Sequence, residues 1–280
     1  MKFDFGIGNP PYQAKSDKDD TKTQAIWGEF VTKYIKLIKP DGFLVAIHPS
    51  GWRGSGSAFS EAKAIKEKQI EHLEIHSEQD GLKTFGAMTR YDWYILKNNL
   101  ASHPSVIVDQ NGETSKVEIS RMPFVPNYMI DKVVSLMAKN GEERVEILHS
   151  FSDYESRKPH ISKDKTDIFC YPIIYSTAVD GPTIWYSSTN KNGHFGIPKV
   201  ILNPSRPIGL LVDYTGEYGM SQFCVGIVGD KDYLDMVAEV IRNQKTNGFA
   251  EIMESCHFTD KVFNKEAIAS FRKDFWKEFV

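Results

Sequence analysis

The chain has 280 residues, 41% of them hydrophobic, and a formal net charge of −3. That length and apolar share exclude a disordered chain and suffice for two domains rather than one; the near-neutral charge excludes a uniformly basic nucleic-acid binder, though not one with a basic cleft. No apolar run approaches the roughly 20 residues of a membrane span, the start lacks a signal-peptide pattern, and the three cysteines are too scattered for a metal site or disulfide framework, so a soluble cytoplasmic protein with buried thiols is expected.

The first element is a short apolar strand, Phe3-Asp4-Phe5-Gly6-Ile7-Gly8, which runs directly into Asn9-Pro10-Pro11-Tyr12. Two consecutive prolines fix φ and remove two backbone donors, leaving carbonyls held in place as acceptors. Asn9 adds an amide oxygen and Tyr12 an aromatic face. This set suits one chemical task. The exocyclic amine of adenine is a weak nucleophile because its lone pair is delocalised into the ring. If the Asn9 amide oxygen and the Pro10 carbonyl each take one N–H, the nitrogen moves towards tetrahedral geometry and its lone pair is aimed outward, by positioning and electrostatics without a strong base. Tyr12 would grip the ring by stacking, as base-modifying enzymes do with an extruded nucleotide.

A strand followed by Gly-Asn-Pro-Pro-Tyr-Gln resembles motif IV of the DNA adenine-N6 methyltransferases, with type IIG and related restriction–modification methylases as the nearest kin. The resemblance implies an α/β fold: a partial Rossmann-like methyltransferase sheet followed by an α+β domain like those that recognise the DNA target. It implies S-adenosylmethionine as methyl donor, double-stranded DNA as substrate, and Asn9, Pro10, Pro11 and Tyr12 as catalytic residues. In that family the glycine-rich turn and ribose-binding acid of the cofactor site precede the motif by many tens of residues, whereas eight residues precede Asn9. The cofactor half-site is therefore expected to be missing here and to come from a partner chain or second subunit. The alternatives are a permuted turn over Phe223 to Asp230, with glycines spaced G-x-x-G rather than G-x-G, and a decayed methylase that still binds DNA.

Downstream, residues 13 to 24 are polar and read as a loop. Helical spacing of Ile26, Trp27, Phe30, Val31, Tyr34, Leu37 and Ile38 predicts an amphipathic helix closed by Lys39-Pro40-Asp41-Gly42. The apolar run from Phe43 to Ile47 reads as a strand buried on both faces of a parallel sheet, with His48 and Trp52 at its carboxyl end, where open α/β sheets place ligands. The stretch from Gly51 to Ser57 reads as a glycine-rich lip, since no Lys-Ser/Thr follows for a phosphate loop. A helix over residues 58–68, a strand over 70–75 and an aromatic strand over 90–97 follow. By the family resemblance, Phe85 matches the aromatic residue that stacks on the far face of the flipped base, and Trp52 lines the pocket.

Prolines 123 and 126 punctuate the chain, and the domains are set at 1–121 and 122–280. The second is predicted to hold a helix over 128–139, short strands over 169–175, 184–186, 199–202, 210–214 and 222–228, a helix over 232–241 and a carboxyl-terminal helix over 265–280. Gly196 to Leu202 followed by Asp213-Tyr214-Thr215-Gly216 resembles a recurring pattern of the family's recognition domains. Arg157, Lys158, Lys163 and Lys165 in one polar segment, and Lys199 and Arg206 flanking a strand, are the candidate phosphate and base contacts. Two functions compete: an adenine-specific DNA methyltransferase, or a non-catalytic DNA-binding specificity module that needs a partner. The intact Asn9 and Tyr12 favour the first, because a pure binding module has no use for them. No cluster suggesting a linked nuclease is present.

Overall fold

A computed structural model describes residues 2–16, 19–54, 60–204, 206–257 and 264–280. The chain divides into two compact units, Met1–Val133 and Val134–Val280. The first extends past the boundary set at residue 121 because Arg53 ties the following segment to it. Its guanidinium donates to the carbonyls of Val125 (2.9 Å) and Pro126 (3.2 Å) and to Asn127 Oδ1 (2.9 Å), and its carbonyl accepts from the Val125 amide.

In the first unit β1 (Phe3–Gly8) runs into the corner and is followed by a hairpin of β2 (Gln13–Ser16) and β3 (Asp19–Ala25), where the polar composition predicts only a loop. Then come α1 (Trp27–Leu37), β4 (Ile38–Pro49), a 3-10 turn over Ser50–Arg53, α2 (Ser60–Lys66), β5 (Lys68–His76), α3 (Glu78–Phe85), β6 (Tyr91–Leu100), β7 (Ser105–Val108) and β8 (Thr114–Val117). The six-stranded sheet has the order β1-β4-β6-β5-β7-β8. Strands β1 and β4 pair in parallel through the α1 crossover, β5 and β7 are also parallel, and the remaining pairs are antiparallel. The sheet is therefore mixed, with β6 inserted against the run of its neighbours. The part of the glycine-rich lip at residues 55–57 lies outside the described residues.

Helix α1 buries Trp27, Val31 and Ile35 on one face of this sheet. It approaches β1 at the glycines: a Cβ on Gly8 would meet the Tyr34 ring at 2.6 Å, and one on Gly6 would meet Ile38 at 2.9 Å. A side chain at either glycine would have to displace the Tyr34 ring or the end of the Ile38 side chain. The opposite face of the same edge is bare, with Phe3, Phe5 and Ile7 exposed by 47%, 54% and 79% and Phe43 beside them on β4. Strand β4 is accordingly not buried on both faces as its apolar run predicts. It alternates, with Leu44, Ala46 and His48 inside and Phe43 outside.

His48 and Trp52 both belong to the core. The carbonyl of Pro49 (2.9 Å) can only accept, so His48 Nδ1 carries the proton and Nε2 accepts from the Tyr94 hydroxyl at 2.9 Å. The ring stacks on Trp27 at 4.4 Å, and burial pushes its pKa down to about 4. Because the folded-state value lies below that of a free imidazole, the neutral ring's stabilisation is complete above pH 6.5 and declines as pH falls towards 4. Wild-type protein is expected to lose about 3 kcal/mol more than His48→Gln across that window. Urea titrations of both proteins at pH 7 and pH 4.5 measure the difference.

The second unit begins within α4 (Ile130–Leu136), shorter than the helix predicted over 128–139, and contains β9 (Glu146–Leu148), β10 (Ile161–Ser162), β11 (Tyr171–Ala178), β12 (Gly181–Ser187), β13 (Lys199–Asn203), β14 (Arg206–Asp213), β15 (Gly219–Met220), β16 (Val225–Val228), α5 (Lys231–Arg242), α6 (Phe249–Ser255) and α7 (Lys265–Ser270). Two four-stranded sheets, β10-β12-β11-β15 and β14-β13-β16-β9, enclose a core of Ile174, Ile201, Met220 and Cys224. Cys256 is buried as well, but Cys170 is exposed, unlike the expectation for all three thiols. The carboxyl-terminal helix stops at Phe271 instead of running to 280. Phe271 turns extended and bridges Met137, and the Arg272 amide donates to the Leu136 carbonyl at 2.8 Å, so backbone pairing interrupts the helix before a 3-10 turn over Phe275–Glu278, while Phe271 and Phe275 fill the core. Among the described residues no helix is long and apolar enough to cross a membrane.

Candidate functional site

The corner leaves β1 at its carboxyl end. Asn9 is exposed, Pro10 buried, Pro11 exposed and Tyr12 half-buried. The prolines carry no donor, and the backbone is pinned at the far end, where the Tyr12 carbonyl accepts from the Ile26 amide at 3.1 Å. This bond closes the hairpin over the corner and joins it to the start of α1. Asn9 is thereby displayed, exposed, on a stiff support. Desolvation raises the pKa of the Tyr12 phenol, and among the described residues its hydroxyl has no hydrogen-bond partner.

The structure brings Phe85 to Tyr12. Their ring centroids lie 6.0 Å apart at 77°, edge to face. Phe85 is the last residue of α3, which forms where the sequence reading placed no helix. Ser77 caps its start by accepting from the Asp80 amide, and Gly86 ends it in the left-handed region at φ 71°. Gly81 is required in between, since a Cβ there would sit 2.0 Å from the Thr89 carbonyl oxygen.

Behind Phe85 stands a second group that the sequence reading passed over. The Tyr91 ring meets Phe85 at 4.9 Å, edge to face, and stacks flat on His76 at 4.4 Å. The Tyr91 hydroxyl donates to Asp80 Oδ2 at 2.5 Å, and His76 Nδ1 lies 3.0 Å from the same oxygen. That hydrogen bond holds the Asp80 carboxyl below the usual range, while burial and the neighbouring carboxylate raise the Tyr91 phenol. Tyr91, His76 and Asp80 thus fix the wall from which Phe85 projects. The aromatic density of residues 90–97 was the available signal, but Asp80 and His76 come from a different helix and strand.

Other candidates fall elsewhere. Trp52 is fully buried, its indole N–H donating to Asp92 Oδ2 at 2.8 Å beside the buried Arg53–Asp92 ion pair, so it is not a pocket residue. Lys199 is also fully buried. Its ammonium donates to Asp213 Oδ2 at 2.8 Å and to the carbonyls of His194 and Ile197 at 3.0 Å each, which withdraws it from any DNA. Arg157 is exposed and paired with Glu155, Lys158 is half-buried, and the Arg206 side chain lies outside the described residues. The permuted cofactor turn does not form either. Val225–Val228 is an antiparallel strand, and the Asp230 carboxylate caps α5 by accepting from the Tyr233 amide at 3.0 Å, placing negative charge where a phosphate would need to sit.

Comparison with proteins of curated function gives no match. Among solved structures, the chain is similar to the type IIL restriction–modification enzyme MmeI in complex with DNA, at 9% identity and a TM-score of 0.43 over 95% of this chain and 45% of that one. It is also similar to the EcoKI M protein of a type I restriction enzyme (13% identity, TM-score 0.30, 39% of this chain and 25% of that one). A type I methyltransferase subunit from Streptococcus thermophilus gives 18% identity and a TM-score of 0.30 over 41% of this chain and 29% of that one. The chain spans only about a quarter of the length of the type I proteins it matches. Residues 1–80, the segment that carries the Asn-Pro-Pro-Tyr corner and the β1–α1–β4 crossover supporting it, match the Eco57I restriction-modification methylase family.

Proposed function

We propose that this chain carries the adenine-handling part of a site-specific DNA adenine-N6 methyltransferase. The observation that carries the reading is the corner: an exposed Asn9 on a proline-stiffened strand exit, with the Tyr12 and Phe85 rings beside it. The family match over residues 1–80 supports a methyltransferase role. An adenine extruded from duplex DNA would lie on Tyr12, with its exocyclic amine donating to the Asn9 amide oxygen and the Pro10 carbonyl. A base flat on Tyr12 meets the Phe85 ring at a steep angle, so Phe85 supplies an edge-to-face wall in place of the second stacking surface that the resemblance implied.

S-adenosylmethionine would supply the methyl group as an electrophile. The described residues do not complete a cradle for it: nucleotide sites of open α/β sheets use the crevice between adjacent strand ends, and β1 is an edge with β4 on one side only. Parallel strands are ordinarily covered on both faces, and here Phe3, Phe5 and Ile7 are bare. These two features support a cofactor-binding polypeptide that continues the sheet beyond β1. They equally favour the second reading, in which the chain is a DNA-binding specificity module whose catalysis depends on that partner.

The test is methyl incorporation from labelled S-adenosylmethionine into duplex DNA, with digestion to nucleosides and mass spectrometry. N6-methyladenine is the expected product. A methylated cytosine, or no transfer even with the completing polypeptide present, rejects the assignment. Phe85→Ala is expected to weaken the grip on an extruded base about tenfold, the order of one aromatic contact, while Phe85→Trp retains it. Fluorescence of 2-aminopurine at the target position, which needs no cofactor, measures this.

A further inference from the structure

The second unit presents an aromatic array that the corner chemistry does not use. Tyr175 on β11 and Trp185 on β12 stack with centroids 4.1 Å apart at 9°. Phe223, 44% exposed, meets Tyr175 edge to face at 5.3 Å, and the Lys163 ammonium lies over the Trp185 ring at 5.3 Å. Four groups therefore form a ladder, with a cation at one end and an exposed ring at the other.

The ladder is held by the backbone. The register between β11 and β12 shifts between Ile174 and Ser176, so Tyr175 occupies an irregularity of the kind that re-aims a side chain. Its carbonyl accepts from Ser221 Oγ at 2.6 Å, and the same Oγ accepts from the Phe223 amide at 3.1 Å. One serine thus fixes Tyr175 and Phe223 together. The next residue along, Gln222, exchanges two hydrogen bonds with Ser156 (3.0 and 2.9 Å), which brings the segment bearing Arg157 and Lys158 to the Phe223 loop.

We propose that this array is a nucleic-acid contact surface, with Phe223 as the ring that lies against a base or wedges at a base step, and Lys163 and Lys158 as phosphate contacts. The assignment rests on DNA being the substrate of the proposed function and adds the place where the second unit would hold it. Rigid, partly exposed aromatic rings with an adjacent cation are the chemistry that stacks on nucleobases irrespective of sequence. Within residues 153–167 four basic residues (Arg157, Lys158, Lys163, Lys165) meet four acidic ones (Asp153, Glu155, Asp164, Asp167), and Arg157 is spent on Glu155. Ring contact rather than net charge must carry the affinity, and a shallow salt dependence follows.

Fluorescence anisotropy with a labelled DNA duplex tests the surface, using the full chain. Phe223→Ala is expected to weaken binding about tenfold and Phe223→Tyr less than about twofold. Lys158→Gln is expected to reduce the slope of log affinity against log salt by about one. Near-UV circular dichroism of the Tyr175–Trp185 stack establishes that each variant is folded. Wild-type affinity in Phe223→Ala, or no DNA binding by the wild-type chain, overturns the proposal. Lost DNA binding in Phe223→Ala together with undiminished methyl transfer in Asn9→Ala leaves the surface standing and removes the catalytic reading; the converse removes the surface alone.

Discussion

Asn9→Ala is expected to lower methyl transfer to adenine by about 10²- to 10³-fold, the order found when one preorganised acceptor or donor is removed from a reacting centre. Asn9 is exposed at the end of β1, so truncating it empties no core site. Thermal unfolding and DNA affinity should stay at wild-type values. The distinction matters because Asn9 is assigned to the amine of the target base and not to the strength of the complex: its loss lowers kcat with little change in KM for DNA. Labelled-methyl incorporation and anisotropy, run on the same preparations, separate the two. A variant that binds DNA and transfers methyl groups normally would reduce the corner to a proline-rich turn. Asn9→Asp is a useful companion, since a carboxylate still accepts from the amine and is expected to retain partial activity.

The second large effect concerns stability. Lys199→Met is expected to destabilise the protein by about 3–5 kcal/mol, because it leaves the buried Asp213 carboxylate without its cation. Asp213 also accepts from the amides of Glu217 (2.8 Å) and Tyr218 (3.0 Å), so the pair organises the turn after β14 as well as joining it to β13. Lys199→Met combined with Asp213→Asn removes the uncompensated charge while keeping an acceptor for that turn, and at least half of the lost stability should return. Urea unfolding with and without the second substitution measures the recovery. If Lys199→Met unfolded like wild type yet lost DNA affinity, the residue would be a DNA contact after all, and the ion pair would be incidental.

The same two positions show how much was legible beforehand. The exit of β1 is a local matter: two prolines, an Asn and a Tyr after an apolar strand dictate a stiff, acceptor-bearing corner wherever the strand sits. Helix α1 and the parallel β1–β4 crossover were equally readable, because a 3.6-residue apolar stripe between two apolar runs has few other solutions. Lys199 was misread for the opposite reason. A lysine next to an apolar run looks the same whether it points to solvent or to an aspartate, and here that partner is fourteen residues away in the chain, on the neighbouring strand. Trp52 was misread likewise, since Asp92, which receives its indole N–H, lies forty residues downstream. The hairpin at β2–β3 and helix α3 were missed because both are polar; α3 is defined by its Ser77 cap and by the close approach of Gly81 to Thr89 rather than by an apolar stripe.

The amino-acid sequence alone therefore determined the stiff corner, helix α1 and the β1–β4 crossover, since these depend on backbone restriction and on apolar spacing between residues close in the chain. Tertiary structure decided which side chains stand beside the corner and which are withdrawn into the core. Placing Phe85 against Tyr12, burying Trp52 and Lys199, and leaving the apolar face of β1 bare are all settled by contacts between segments far apart in sequence, where burial and pairing, not residue type, fix whether a group faces a ligand or the core.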